Sequence, residues 1–132
     1  MRAIDALPRP AGEFHTIPAT VTVGESIVVT WFREIATDVA TCVGQPFDHA
    51  AYLLRRHPGT FAPYLLYGCF SIAGHTVAVS VLWDDLWREP GYALAVDGQP
   101  VPLDTTSAAR PAAVIANAAW QAILTPTTRR NH

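Results

Sequence analysis

A block of residues without charge, from 58 to 83, constrains the fold of this chain more than any other feature. It contains no Asp, Glu, Lys or Arg, and a second block of the same kind runs from 111 to 128. Folded chains keep their charged side chains in water, so a long uncharged block indicates shelter from water. Each block is therefore expected to lie in a core, in a membrane or in a protein interface.

The overall composition points in the same direction. Of the 132 residues, 50% are hydrophobic and 15% are charged, whereas charged residues make up roughly 25% of typical domains. The length suits one domain, which can build a core without disulfides or bound metal. The shortage of charge indicates that a partner covers part of the apolar surface.

The charges and the cysteines argue against several classes of protein. All nine basic residues are Arg, which is typical of a GC-rich genome, and the net charge is −2. The Arg pairs at 55–56 and 129–130 are too few for a nucleic-acid-binding surface. Cys42 and Cys69 predict no disulfide framework, and with the five His they show no metal-ligand spacing. The first residues lack the apolar core of a signal peptide, so we expect a cytoplasmic location.

Residues 61–83 have the length of a membrane helix, about 20 residues, but a β-hairpin explains their pattern better. His75 lies well inside the span, where an ionisable side chain is costly, so no membrane span is expected. A two-residue turn at Ala73-Gly74 instead divides the side chains between two faces, because side chains alternate along a strand. We therefore predict a hairpin whose apolar face carries Leu66, Phe70, Ile72, Val77, Val79 and Val81.

Two helices are predicted before this hairpin. Apolar residues recur at helical spacing from Ser26 to Val43, and Ser26 is a suitable N-cap. The β-branched run at 27–30 leaves a strand at this start as the alternative. Pro46 suits the first turn of a second helix, which is predicted to run to Arg56 and to end at His57-Pro58-Gly59.

Shorter strands are predicted on both sides of these elements. A short strand is expected at 19–23, before Gly24. Residues 92–96 and 99–103 flank Asp97-Gly98, a strong turn signal for a β-hairpin. The second of these strands contains Pro100 and Pro102, which cannot donate ladder hydrogen bonds, so it is expected at a sheet edge.

The last predicted helix, from Pro111 to Leu124, is apolar around nearly its whole circumference. A helix of this kind is buried on more than one side, and Ala residues let two helices approach closely. We therefore predict a subunit contact on this helix, with Trp87 as a further aromatic anchor. The predicted interface residues are Ala112, Ala116, Trp120 and Trp87.

The predicted fold class is α+β. It has two N-terminal helices, an antiparallel sheet of about four strands built around the central hairpin at Ala73-Gly74, and an apolar C-terminal helix. The expected domain organisation is an extended Pro-rich arm at 1–18, one domain at 19–124 and a polar tail at 125–132.

The sequence contains no catalytic, cofactor or phosphate-binding motif, and no cofactor or metal is expected. Asp84-Asp85 is the pair to consider for acid-base chemistry, but neighbouring strand residues point to opposite faces. An alternative prediction is a ligand pocket between the sheet and the helices. Its polar groups would be Tyr67, Asp84, Asp85 and His49.

The function expected first is that of a non-enzymatic interaction or assembly subunit. It would oligomerise with itself or dock another protein subunit in a larger complex, of a virion type, a secretion type or an adaptor type. The uncharged last helix and the low charge content support this expectation. A small-ligand-binding or enzymatic domain is the alternative.

Overall fold

The computed structural model describes residues 1–60, 62–83 and 89–125. Two helices and seven strands form within these residues. In chain order they are β1 (Arg2–Ala3), β2 (His15–Thr16), α1 (Ile27–Val43), β3 (Phe47–Arg56), β4 (Pro63–Ile72), β5 (His75–Leu82), β6 (Gly91–Val96), β7 (Gln99–Val101) and α2 (Pro111–Leu124).

The seven strands form one mixed sheet in the order β1-β6-β5-β4-β3-β2, with β7 also paired to β6. The strands from β2 to β7 pair with their neighbours in antiparallel fashion. Only β1 is parallel to its neighbour, with Arg2 opposite Gly91. β1 and β7 therefore share the outer edge of β6, at opposite ends of that strand.

The predicted fold class is wrong in two respects. One helix, not two, precedes the central hairpin, and the sheet has seven strands in a mixed arrangement instead of about four antiparallel ones. The predicted second helix, from Pro46 to Arg56, is the ten-residue strand β3. The expected strand at 19–23 does not form either, and the chain pairs earlier, at β2.

The wrong prediction of a helix in place of β3 has a physical reason. The pairing of β3 with β4 shifts register between Asp48 and Ala51, and His49 in this irregular stretch has φ of +53°. A register shift interrupts the alternation of side chains by which a strand is recognised. Beyond it, Leu53 is buried and Tyr52 packs against the core, so apolar residues occupy both faces.

The central hairpin is confirmed in its turn and in its register. Ile72 pairs with His75 and Phe70 pairs with Val77, as the turn at Ala73-Gly74 predicts. Ala73 and Gly74 have φ of +49° and +81°. Positive φ at both turn residues matches the twist of the flanking strands. The turn at Asp97-Gly98 has the same form, with φ of +52° and +78°.

The two helices are also confirmed at their predicted positions. Ser26 is the N-cap of α1, and its hydroxyl accepts a hydrogen bond from the Val28 N–H. Gly44 ends α1 with φ of +79°. α2 begins at Pro111 and ends at Leu124. The predicted polar tail lies outside the described residues from 126 onward.

Both helices cover one face of the sheet, here called the helix-covered face. α1 packs over β3 and β4, α2 packs over β5, β6 and β7, and the helices contact each other. The core between these layers is filled by side chains that water does not reach. Its largest members include Phe32, Ile35, Phe70, Ile72, Val77, Val79, Leu94, Val96 and Ile115.

The opposite face of the sheet, here called the open face, is crossed by residues 4–14, the N-terminal strap. The strap connects β1 at one edge of the sheet to β2 at the other edge. Phe14 packs edge-on against Tyr67, with ring centroids 6.0 Å apart. Gly12 lies so close to the open face that an added Cβ would come within 2.7 Å of Leu53. The strap therefore forms a partial third layer.

Candidate functional site

An apolar pocket of about 210 Å³ opens between the start of α1 and the end of the sheet where β5 stops and β6 begins. Ile27, Val28 and Trp31 of α1 form one wall. Trp83 and Pro90, which flank the undescribed residues 84–88, also line it. None of the described residues that line the pocket carries a charge.

The floor of the pocket consists of residues from three neighbouring strands. Leu66 of β4 pairs with Val81 of β5, which pairs in turn with Tyr92 of β6. The register places these side chains on the helix-covered face. The ring of Trp31 lies over this row, 6.0 Å from the ring of Tyr92. Burial first, and then Glu89, raises the pKa of Tyr92, so its phenol stays protonated.

Exposed apolar side chains occur at the pocket and in the loop that precedes it in the chain. Ile27, which lines it, is 83% exposed, and Val21 and Val23 in the preceding loop are 65% and 107% exposed. The pocket and Ile27 form what we call the apolar patch, and Val21 and Val23 precede it in the chain. Large apolar side chains clustered in water commonly mark an interaction site.

A buried ion pair fixes the loop that precedes this patch. Arg33 of α1 donates to both carboxylate oxygens of Glu25, and the side chains of these residues are only 6% and 5% exposed. The Nε of Arg33 donates to the carbonyl of Pro18 at 2.8 Å. The hydrogen bond from Arg33, and next the one from Thr30, lower the pKa of Glu25 to about 2. Arg33 thus holds the loop before α1 at both of its ends, through Pro18 and Glu25.

The predicted interface residues on α2 lie mostly inside the chain. Ala112 and Ala116 are each 4% exposed and belong to the core, and Trp120 packs against the core while partly exposed. Trp87 lies outside the described residues. α2 is apolar nearly all round because one side packs on the sheet and another on α1. The exposed side of α2 carries Ala113, Asn117 and Gln121.

Of the four residues predicted for a ligand pocket, the two described ones, Tyr67 and His49, do not meet between the sheet and the helices. Tyr67 is buried on the open face, where burial raises the pKa of its phenol. His49 is exposed at the irregular start of β3, and its N–H donates to the side chain of Asp48. Asp84 and Asp85 lie outside the described residues. Where α1 and α2 pack on the sheet, the space is filled by core side chains.

Two observations bear on what the described residues can do. No three of their His, Cys, Asp and Glu side chains come close enough together to hold a metal ion. None of the helices in the described ranges combines the length and the hydropathy that crossing a membrane requires.

Sequence reasoning missed Ile27 as a surface residue. Its spacing places it on the apolar side of α1, with Val28 and Trp31, and this spacing predicts burial. In the structure Ile27 is the first residue of α1 and its side chain lies largely in water. The sequence feature that indicates its exposure is its place directly after the cap Ser26. The first residue of a helix lies at the end of the helix, where the packing against the sheet stops.

Comparisons of the chain with protein-family models, with curated proteins and with solved structures found no match. The inferences about function below therefore come from the geometry of this chain.

Proposed function

We propose that the protein is a non-enzymatic assembly subunit that pairs with a second copy of itself through the apolar patch. The observation that carries this proposal is that the largely exposed Ile27 lines an aromatic-lined pocket whose described residues carry no charge. Aromatic side chains in such pockets are typical centres of binding energy in protein interfaces. Covering these side chains removes apolar surface from water, which favours association.

A second copy is the occupant that the patch fits best. The largely exposed side chain of Ile27 and the pocket that it lines lie on the same surface, at the start of α1. In a two-fold arrangement both copies use the same patch, so the protruding side chain of each copy enters the pocket of the other. Ile27 of one copy would then meet the pocket of the other. The described lining carries no charge, so these residues bring no like charges together in such a pairing.

The chemistry of the pocket favours binding over catalysis. Its described lining offers only the indole N–H groups of Trp31 and Trp83 and the phenol of Tyr92 as polar side-chain groups. General acid-base or nucleophilic catalysis needs a titratable pair within hydrogen-bonding distance of a substrate. A cytoplasmic location belongs to the same proposal, because exposed Cys42 and buried Cys69 are both free thiols.

The proposal is tested by the solution mass of the wild type and of Ile27→Glu, measured by light scattering over a range of concentrations. We expect the wild type to approach twice the chain mass of 14.3 kDa, and Ile27→Glu to remain at the mass of one chain. A glutamate at the first position of α1 is compatible with the positive end of the helix, so folding should persist.

The matched control is Leu124→Arg. Leu124 is the other strongly exposed large apolar residue on a helix of the described chain, at 53%, and it ends α2 and does not line the pocket. An arginine there suits the negative end of a helix. The control should associate like the wild type. A wild type that stays a single chain at every concentration would refute self-pairing, and a dimer split by Leu124→Arg alone would move the interface to α2.

A further inference from the structure

A cavity of about 510 Å³ lies on the open face of the sheet, between the N-terminal strap and strands β4 to β7. Pro8 and Arg9 of the strap form its outer wall. Its floor is made of small side chains, among them Ala78 of β5 and Ala95 of β6, which face each other in the pairing of these strands. This cavity lies on the side of the sheet away from the helices.

The cavity exists because the strap follows the sheet unevenly. Near Leu53 and Tyr67 the strap lies against large side chains, through Gly12 and Phe14. Over Ala78 and Ala95 the floor recedes and the strap leaves a space. A volume of about 300–1,000 Å³ with a mainly apolar lining and a few polar groups is typical of small-molecule sites.

Arg9 supplies the positive charge of this cavity. Its guanidinium lies 4.1 Å from the centroid of the Phe14 ring, and its Nη1 lies 3.5 Å from Sγ of Cys69. The stacking on Phe14 holds the guanidinium in place. No ion pair joins Arg9 to an acidic side chain among the described residues. The guanidinium is therefore available to a ligand.

Two hydroxyl groups line the same cavity as this cation. Tyr67 and Thr76 both line the cavity. Burial of Tyr67 raises the pKa of its phenol, with the neighbouring Cys69 as the next cause, so the hydroxyl remains a donor at neutral pH. Carboxylates bind through charge-assisted hydrogen bonds from Arg and through hydroxyl donors. One cation above an apolar floor suits a singly charged anion better than a phosphate dianion.

We propose that this cavity binds a small carboxylate with an apolar body, its carboxylate on Arg9 and its body on the Ala78–Ala95 floor. The proposal is independent of self-pairing through the apolar patch, because the patch and this cavity share no lining residue. Evidence against the dimer would not contradict the ligand site, and evidence against the ligand site would not contradict the dimer.

The test is a titration followed by amide chemical shifts, with benzoate as the probe and benzyl alcohol as its neutral match. The chain has two alanines on the cavity floor whose amides report binding directly. We expect saturable shifts centred on Ala78 and Ala95 with benzoate, and at least tenfold weaker binding of benzyl alcohol. Arg9→Met should weaken benzoate at least tenfold and leave benzyl alcohol unchanged, since Met keeps the length of the side chain and removes its charge.

Two further variants sharpen this result. Arg56→Met is the matched control, because Arg56 is exposed at the end of β3 and lines no part of the cavity. It should bind benzoate like the wild type. Ala78→Leu fills the floor and should abolish binding of both probes. The proposal is overturned if benzoate does not saturate, if Arg9→Met binds it as well as the wild type, or if the shifts centre on another surface.

Discussion

Phe32 of α1 packs its ring directly onto the backbone of Gly68 in β4, so that a Cβ at Gly68 would lie 2.7 Å from two of the ring carbons. Phe32 is fully buried, and its ring also contacts Phe70, with centroids 5.9 Å apart. This contact sets how closely α1 approaches the sheet. The hairpin pairing puts Gly68 opposite Val79, on the helix-covered face.

Gly68→Ala is expected to destabilise the protein by about 1–3 kcal/mol, the usual cost of overpacking a filled core. The backbone of Gly68 is ordinary extended strand, so the cost is steric and does not come from φ. Chemical denaturation with urea measures the loss. The double variant Gly68→Ala/Phe32→Leu should lose less stability than the sum of the losses of the two single variants, because the smaller side chain relieves the clash. Full additivity would show that the ring does not limit the approach of α1.

The Glu25–Arg33 pair predicts a specific dependence of stability on pH. The hydrogen bond from Arg33, followed by that from Thr30, lowers the pKa of Glu25 from 4.5 to about 2. Because the folded-state pKa lies below the unfolded one, this stabilisation is complete above pH 4.5 and is lost as the pH falls toward 2. Glu25→Gln should therefore lower the free energy of unfolding at pH 7 and flatten its fall below pH 4.5.

Thermal unfolding at several pH values checks this prediction. Glu13→Gln removes a carboxylate from an exposed position of the N-terminal strap and serves as the control. It should keep the wild-type dependence on pH. If Glu25→Gln and the wild type lose stability in parallel between pH 5 and pH 2, roughly the window of acid titration for a paired carboxylate, then the pair does not act as described.

The turn at Asp97-Gly98 is held by side-chain contacts from the neighbouring hairpin. One carboxylate oxygen of Asp97 lies 2.6 Å from Nδ1 of His75, and the other accepts the N–H of Thr76 at 2.9 Å. Asp97 also has φ of +52°, a conformation that Asn adopts more readily than Ala does. We expect Asp97→Ala to cost about 1–3 kcal/mol and Asp97→Asn distinctly less, measured by urea denaturation. Equal losses would mean that the backbone conformation contributes nothing.

The elements that local sequence could specify are those with strong local signals. Ser26 and Gly44 mark both ends of α1, and the Ala73-Gly74 turn fixes the register of eight paired positions in β4 and β5. α2 has clear bounds at Pro111 and Leu124. In each case a cap, a turn or a proline acts within a few residues of the element that it defines.

The elements that could not be predicted from local sequence depend on contacts with residues far away in the chain. β1 and β2 have two residues each and exist because Gly91 and Ala51 lie beside them. The strap covers the open face through contacts such as that of Arg9 with Cys69, 60 residues apart. The apolar patch likewise combines Ile27 with Trp83 and Tyr92. No local sequence pattern indicates these long-range contacts, so the candidate site could not be predicted without the three-dimensional structure.

Pro100 blocks the outer edge of the sheet at β7. Val96 and Gln99 flank the two-residue turn and form a hydrogen-bonded pair, so the next pair, Ala95 and Pro100, is not hydrogen-bonded. The nitrogen of Pro100 therefore faces away from β6, toward the free edge, where it offers no donor. Pro102 follows directly after the end of β7. Natural sheets use proline at edges in this way against strand pairing between molecules.

The variant Pro100→Thr/Pro102→Thr restores two backbone donors on this edge. We expect nearly unchanged stability of the single chain, since the nitrogen of Pro100 faces away from β6 and Pro102 lies outside β7. We also expect a rise in concentration-dependent association beyond the dimer. Light scattering on the variant that also carries Ile27→Glu isolates this effect from pairing through the apolar patch. Association of this triple variant, while Ile27→Glu alone remains a single chain, would establish the edge as a protected surface. A triple variant that also remains a single chain would show that the prolines are not what keeps β7 unpaired.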